Sequence, residues 1–298
     1  MSFNEGASLD TSQVTGGGGK TGAVIGGGAG GIILLILGLI FGPNITGGTT
    51  GAFDTSQISP GGTESTTDFS QCKTGADANR DDVCRIIGTV NSVQDYWKDA
   101  LPKDVQRQYT DAKTVIFSGQ TQSACGTASG ATGPFYCPSD QRIYIDASFF
   151  DELTSKFGAD GGPLAQEYVV AHEYGHHVEN ILGILAKGQD GKTGPLSGGV
   201  RIELMADCMA GVWANHASTT DDANGKALLK PLTDADIKSA LSAAAAVGDD
   251  HIQSTLGGGQ VNQESWTHGS SASREKWFTT GYESGNVNKC DTFATNDL

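Results

Sequence analysis

Two histidines and a glutamate form the most distinctive chemical pattern in the sequence. His172 and His176 are four residues apart, and Glu173 directly follows the first of them. Residues four apart on an α-helix lie on one face with Cβ atoms about 6 Å apart, so both imidazoles can reach one metal ion. Glu173 lies about 100° further round the helix, where it can reach a water on that ion without binding the ion. The pattern predicts a hydrolytic zinc site, whereas the alternative, a structural metal, would leave Glu173 without a purpose.

A third metal ligand has to come from another element, because catalytic zinc takes three protein ligands and keeps one position open. Glu203 is the predicted donor, since it lies in an apolar helical segment where a buried carboxylate needs a partner such as a metal. Asp207, four residues later on the same face, is predicted to accept the ring N–H of His172 and orient it. The rivals are weaker: His177 points away from the ligand face, and Glu179 would crowd three ligands onto one helix.

Helices are the main elements predicted to position these side chains. Apolar residues spaced three and four apart, together with capping residues, predict helices over 82–98, 163–187, 200–216 and 233–246, and a short one near 274–282. Short β-type runs predict strands at 114–118, 135–137 and 143–145, the last two arranged like a hairpin. Helices and strands in separate runs predict an α+β fold that is mainly helical with a small sheet.

The first 70 residues differ in composition from the rest of the chain. Residues 1–66 hold no Cys, Trp, Tyr or His, which predicts a disordered tail over 1–20 and a flexible Gly/Ser/Thr-rich stalk over 43–70, before a domain over 71–298. No charged residue occurs from Thr21 to Phe53, and Gly22–Gly42 as a helix would span about 30 Å, the thickness of a bilayer core. We therefore expect one transmembrane helix over 21–42; a cleaved signal peptide is the alternative, because the dense apolar core is short.

Cysteine placement and charge indicate on which side of the membrane the domain lies. All six cysteines follow the apolar segment, as expected of disulfides in an oxidising compartment. Many pairings are open, and loop spacing suggests Cys72–Cys84, Cys125–Cys137 and Cys208–Cys290. Lys20, the one charge close to the anchor, favours a cytoplasmic N-terminus and an extracytoplasmic domain. The net charge of −15 argues against nucleic acid as a partner.

Several motifs resemble those of the bacterial neutral zinc metallopeptidase family. They are His-Glu-Tyr-Gly-His-His at 172–177, Glu-Leu-Met-Ala-Asp-Cys-Met-Ala-Gly-Val-Trp at 203–213, and shorter blocks at 123–126, 133–138, 143–146 and 267–272. The resemblance implies a gluzincin-like zincin domain that holds one Zn²⁺ per chain on His172, His176 and Glu203, with Glu173 as catalytic residue and peptides or proteins as substrates. Tyr174 stands where this family often has a small aliphatic residue, a departure that touches no ligand.

The expected mechanism also needs a group that stabilises the developing oxyanion. His268 is the preferred candidate, ahead of Arg274, Tyr282 and Tyr144. The strand at Arg142–Asp146 is expected to pair with an extended substrate, as a strand just before the metal helix does in zincins. A different class of function stays open at this point, namely a non-catalytic, zinc-stabilised envelope protein that binds partners.

Overall fold

Helices dominate the part of the chain that the computed structural model describes, which comprises residues 2–18, 64–65 and 67–298. The α-helices of this part are α1 (Gly75–Ala78), α2 (Asp82–Asp104), α3 (Phe149–Ser155), α4 (Pro163–Leu182), α5 (Gly198–His216), α6 (Asp234–Ala246), α7 (Asp249–Thr255) and α8 (Ser271–Ser284). Its strands are β1 (Val14–Gly17), β2 (Glu64–Ser65), β3 (Lys113–Phe117), β4 (Gln120–Ser123), β5 (Gly126–Ser129), β6 (Phe135–Cys137) and β7 (Arg142–Asp146). The predicted α+β class, mainly helical with small sheets, is confirmed.

Local signals explain where the two central helices begin and end. Helix α4 has Pro163 in its first turn, where the missing N–H of proline leaves no bond unmade. It ends at Leu182 because Gly183 adopts a left-handed conformation with φ of 72°, which L side chains rarely take. The predicted end at Lys187-Gly188 is therefore wrong, and residues Leu185–Gly188 form a separate 3₁₀ turn. Helix α5 begins after Ser197, whose side chain accepts a hydrogen bond from the Val200 N–H.

The main sheet has five strands in the order β2-β1-β3-β7-β6. The pairs β1–β3 and β3–β7 are parallel, and the outer pairs β1–β2 and β6–β7 are antiparallel. Strand β7 thus has a neighbour on each side, and β6 is an edge strand among the described residues. A separate hairpin of β4 and β5 follows β3.

Helix α4 is packed on several sides by other elements. It contacts α2, α5 and α6 and the edge strand β6, while α5 packs extensively on α8. Fully buried aromatic side chains, among them Trp97 of α2, Tyr174 of α4 and Trp213 of α5, fill the space between them. Since α4 carries the His-Glu-x-x-His pattern and α5 carries Glu203, the core fixes the relative position of the predicted donors.

Three disulfides join the six cysteines in the pairs that loop spacing suggested. Cys72–Cys84 lies beside the start of α2, and Cys125–Cys137 ties the β4–β5 hairpin to the edge strand β6. Cys208–Cys290 connects α5 to the chain near its C-terminus. The predicted role of Cys208 in holding the chain end to the core agrees with its complete burial.

The predicted membrane anchor at 21–42 lies outside the described residues, as does most of the predicted stalk at 43–70. Within the described ranges, no helix has the length and apolar character needed to cross a membrane. Phe69, from the last part of the predicted stalk, is buried against the core. That residue belongs to the folded domain, because its aromatic side chain gains more from burial than a polar linker residue would.

Residues 2–18 are ordered, although the sequence predicts a disordered tail over 1–20. Residues 2–18 cross the domain surface, and the Phe3 side chain is fully buried with its ring against Gly88 of α2. The Asn4 side chain donates hydrogen bonds to the carbonyls of Ala227 and Leu229, at 2.8 and 3.1 Å. Strand β1 then fills the place between β2 and β3. The tail prediction is corrected for these residues, because partners supplied by distant parts of the chain order a segment with little apolar periodicity of its own.

Phe3→Ala tests this correction. Deleting a fully buried aromatic side chain removes its transfer free energy and leaves a cavity, so we expect the free energy of unfolding to fall by about 3–5 kcal/mol. Denaturant unfolding of the purified full chain measures the change. Leu196→Ala is the matched control, since the Leu196 side chain is 50% exposed and its loss should alter stability little. Equal stability of Phe3→Ala and the unsubstituted protein would contradict the described packing of residues 2–18.

Candidate active site

The structure brings the three predicted metal donors together. The distance from His172 Nε2 to Glu203 Oε2 is 3.2 Å, and that from His176 Nε2 to Glu203 Oε1 is 3.6 Å. One donor atom from each residue lies within 4.8 Å of the others, and all three side chains are buried. Two imidazoles and one carboxylate converging in this way form a donor set that fits a zinc ion with a further position left for a water or substrate.

The donors meet because α4 and α5 approach closely at Gly175. A Cβ atom on Gly175 would lie 2.9 Å from the Cα and 3.1 Å from the Cβ of Ala206, closer than carbon atoms normally pack. Gly175 lies between the two metal-site histidines, and Ala206 lies one helical turn beyond Glu203. The two small residues therefore let the backbones come near enough for short and medium-length side chains to share one ion.

Carboxylates orient both imidazoles from behind. His172 Nδ1 is 2.8 Å from Asp207 Oδ1, the contact that the sequence predicts, and His176 Nδ1 is 2.8 Å from Glu179 Oε2. An Nδ1–H that donates to a carboxylate leaves the Nε2 lone pair free to face the metal position. Glu179 thus lies outside the donor set, as expected, and it supports His176 by accepting its ring N–H.

His177, the other rival ligand, faces the sheet. Its Nε2 is 2.6 Å from the Thr110 carbonyl oxygen, to which it donates, and its Nδ1 is 3.2 Å from the Tyr136 hydroxyl. Both ring nitrogens are engaged away from the donor cluster. The prediction that His177 is not a ligand agrees with this orientation.

Asp207 is held by a buried network that the sequence did not reveal. Arg274 of α8 donates from Nε to Asp207 Oδ2 and from Nη2 to Asp207 Oδ1, both at 2.9 Å. The Tyr168 hydroxyl also donates to Asp207 Oδ1 and accepts from Arg274 Nη2 at 3.1 Å. Burial opposes ionisation of Asp207, but Arg274 and then His172 outweigh it and hold the pKa of Asp207 below its usual value. Arg274 was one of the candidate oxyanion stabilisers. In the structure, its guanidinium instead keeps the Asp207 carboxylate charged and in place.

Glu173 lies in the same cleft as the donors. It is almost fully buried, and its Oε2 atom has no hydrogen-bond partner. Burial raises the pKa of Glu173 to about 7. A carboxylate with that pKa is suited both to accept and to return a proton near neutral pH.

His268 lines the cleft opposite α4, and Asp249 fixes its position. Asp249 Oδ2 accepts hydrogen bonds from the backbone N–H groups of Thr267, His268 and Gly269 at 2.7, 2.7 and 3.0 Å. Asp249 Oδ1 is 3.4 Å from His268 Nδ1, so Nε2 is the ring nitrogen left for the cleft. Burial lowers the pKa of His268, but Asp249 and Glu203 outweigh it, and the net shift is upward. The ring is therefore easier to protonate than that of an ordinary histidine.

The other two oxyanion candidates do not line this cleft. The Tyr144 hydroxyl donates to Asp140 at 2.7 Å on the far side of the sheet, and the Tyr282 ring stacks on Phe278. Between the remaining candidates, Arg274 is engaged by Asp207, which leaves His268 with a free donor.

Nearly the whole sequence matches a known protein family, and this match agrees with the geometry of the site. The sequence profile described as "Putative neutral zinc metallopeptidase" matches residues 4–293. The chain belongs to this family. Its similar proteins include the uncharacterized protein Rv2575 of Mycobacterium tuberculosis (strain ATCC 25618 / H37Rv), 55% identical over 232 residues, which are 78% of this chain and 77% of that protein. The uncharacterized protein YpfJ of Escherichia coli (strain K12) is 38% identical over 223 residues, 72% of this chain and 73% of that protein. No solved structure matches the chain.

The strand at the edge of the sheet differs from the predicted one. Strand β7, the predicted Arg142–Asp146, is paired with β3 along its whole length and with β6 over Arg142–Tyr144. Strand β6 is the edge strand, and Gly133 and Pro134 directly before it line the cleft. Burial raises the pKa of Glu173, and a hydrogen bond with the Tyr136 backbone of β6 opposes this rise. Among the described residues, the edge on this side of the sheet therefore belongs to β6.

Gly175→Ala tests the helix contact that forms the site. Alanine normally stabilises a helix interior relative to glycine, but here the added methyl group has to push α5 away. We expect zinc affinity to fall by about tenfold or more, as when a metal ligand loses its support. Competition with a chromophoric chelator measures this affinity. The control is Gly199→Ala in the first turn of α5, where a Cβ makes only ordinary contacts and zinc binding should not change.

Substitutions of Glu179 test the support of His176. Glu179→Leu removes the acceptor for His176 Nδ1–H, and we expect zinc affinity to fall by about 10–100-fold. Glu179→Gln keeps an acceptor oxygen in nearly the same place and should retain most of the affinity. The same chelator competition applies. If both variants bound zinc equally weakly, the effect would be one of packing rather than of the hydrogen bond.

Proposed function

We propose that this chain is a zinc-dependent peptidase with Glu173 as its general base and acid. The observation that carries the proposal is the buried carboxylate of Glu173, whose Oε2 has no hydrogen-bond partner, in one cleft with the converging donors of His172, His176 and Glu203. A structural metal site would have no use for an ionisable group held beside it with one oxygen unsatisfied. One Zn²⁺ per chain is the expected cofactor, in agreement with the family to which the chain belongs.

The polar residues in and behind the cleft have separate parts in the proposed peptide hydrolysis. A zinc ion in this site would lower the pKa of a water towards about 7 and polarise the scissile carbonyl. Glu173 accepts the proton of the attacking water and passes it to the departing amine. Asp207 and Glu179 keep the two imidazoles in the required tautomers. His268, held by Asp249, donates a hydrogen bond to the carbonyl oxygen as negative charge develops on it.

The shape and lining of the cleft indicate how a peptide binds. Among the described residues β6 is an edge strand, so it is the strand proposed to pair with an extended substrate backbone, and Gly133-Pro134 leads from it into the cleft. Apolar side chains form much of the remaining wall, namely Phe149, Phe157, Val169, Val247 and Ile252. We expect substrates with an apolar side chain next to the scissile bond to be cleaved fastest, because such a side chain loses its water-exposed surface against this wall.

The location proposed for this activity is the outer side of the cytoplasmic membrane. Disulfide pairing of all six cysteines supports an oxidising compartment. The apolar segment 21–42 is the proposed membrane attachment, on the basis of its sequence. The acidic net charge continues to argue against nucleic acid as a partner.

Glu173→Gln tests the proposed reaction. The amide keeps the size of the side chain but cannot accept the proton, so we expect peptide hydrolysis to fall by about 10²–10⁴-fold while zinc content and folding stay unchanged. Cleavage of a diverse peptide library, with zinc measured in parallel, gives the result. Glu283→Gln, the same exchange at an exposed position of α8, should remain fully active. Stoichiometric zinc with equal cleavage by Glu173→Gln and the unsubstituted protein would favour a non-catalytic, zinc-stabilised protein instead.

His268→Asn tests the oxyanion assignment. Loss of one preorganised donor should lower kcat by about 10²–10³-fold with little change in KM, because the bond forms mainly in the transition state. Asp249→Asn should reproduce part of this loss by releasing the His268 ring. The control is His216→Asn, at a histidine that stacks on Tyr96 outside the cleft. An effect confined to KM would show that His268 only binds substrate.

A further inference from the structure

The chain leaves and re-enters the described structure at one place on the sheet. Strand β1 ends at Gly17, shortly before the apolar segment, and β2 begins at Glu64, after it. The two strands are antiparallel neighbours, with Gly17 opposite Glu64 and Gly16 opposite Ser65. Paired Cα atoms across antiparallel strands are about 4.5–5.5 Å apart. The two ends of segment 19–63 are therefore held side by side.

The amino-terminal residues are bound to the domain at several independent points. The Phe3 N–H donates to Asn79 Oδ1 at 2.8 Å, and the Asn79 side chain returns a bond to the Phe3 carbonyl. The Ser8 N–H donates to Asp222 at 2.7 Å, and Asp10 exchanges two bonds with the Asn91 side chain. Four parallel register pairs then join β1 to β3. These contacts reach α1, α2, the sheet and the segment before α6, so residues 2–18 belong to the domain and are not an appendage of it.

This packing is incompatible with a single membrane crossing between residues 18 and 64. One helix across the bilayer would separate its two ends by about 30 Å and put them on opposite faces. Residues 2–18 would then have to leave the sheet, expose Phe3 and Val14, and abandon all the bonds above. No Lys or Arg lies within residues 2–18 to hold them in the cytoplasm, and Lys20 alone is a weak determinant of topology.

We infer that residues 2–18 and the domain at 67–298 lie in the same compartment. This replaces the topology with a cytoplasmic N-terminus. The placement of that shared compartment outside the cytoplasm rests on the proposed function, whereas the shared compartment itself rests only on the packing of β1 between β2 and β3.

Single-cysteine labelling of the full chain in spheroplasts tests the inference. Every native cysteine is in a disulfide, so Ser12→Cys in the amino-terminal segment or Ser155→Cys on α3 adds one reactive thiol at an exposed position. A membrane-impermeant maleimide is applied before and after permeabilisation, and carbonate washing of the membranes separately reports attachment. We expect both variants to label equally before permeabilisation.

The outcomes separate this inference from the proposed location. If Ser155→Cys were labelled in intact spheroplasts and Ser12→Cys only after permeabilisation, the inference would be overturned. If neither were labelled until permeabilisation, the shared compartment would be supported and the extracytoplasmic location would be lost.

A cross-link shows directly whether the segment is packed in the membrane-attached chain. Ser8 Oγ and Asn224 Nδ2 are 2.9 Å apart, so thiols introduced by Ser8→Cys and Asn224→Cys should be joined by a short bifunctional thiol reagent, and peptide mapping detects the product. Ser12→Cys with Asn224→Cys is the matched control and should remain unlinked. Free thiols at both positions in the folded Ser8/Asn224 double variant would overturn the inference.

Discussion

The close contact between α4 and α5 at Gly175 and Ala206 is the constraint on which the candidate site depends. Metal donors must lie within a few ångströms of one another, and the side chains of His172, His176 and Glu203 can meet only if their two helices nearly touch. A larger residue at either small position would separate the donors without altering any of them. The surrounding core maintains this distance, because α4 is packed by α2, α6 and β6 on its other sides.

Charged side chains of alternating sign lie one behind another next to that contact. The acidic Asp207 lies behind His172, and the cationic Arg274 lies behind Asp207, so each buried charge has a partner that offsets its loss of water. Glu173 differs from Asp207, since one of its oxygens has no hydrogen-bond partner although it is buried, and the same is true of Glu179 behind His176. The fold thus pairs both oxygens of Asp207 and leaves one oxygen without a hydrogen-bond partner on each of these two glutamates.

The helical part of the fold and the donor set could be predicted from the sequence because their signals are local. The histidine spacing, the capping of α6 by Thr233 and the proline at the start of α4 depend only on neighbouring residues. The end of α4 was misplaced because the backbone angle of Gly183, rather than apolar spacing, ends that helix. Strand β7 was mistaken for an edge because strand order in a sheet depends on distant pairings. Asp249 was missed since its bonds to the His268 loop span 18 to 20 residues and leave no pattern in the sequence.

The packing of residues 2–18 has a consequence for the order in which the protein folds. Asn4 leaves the ribosome well before its hydrogen-bond partners at Ala227 and Leu229, which lie 223 and 225 positions later in the chain. Strand β1 likewise waits for β3, which is synthesised about a hundred residues after it. Contacts of such long sequence separation form late and slowly. The sheet therefore cannot be completed before the chain has been synthesised as far as Asp146, and the amino-terminal segment gains its last partners only after Leu229 has followed.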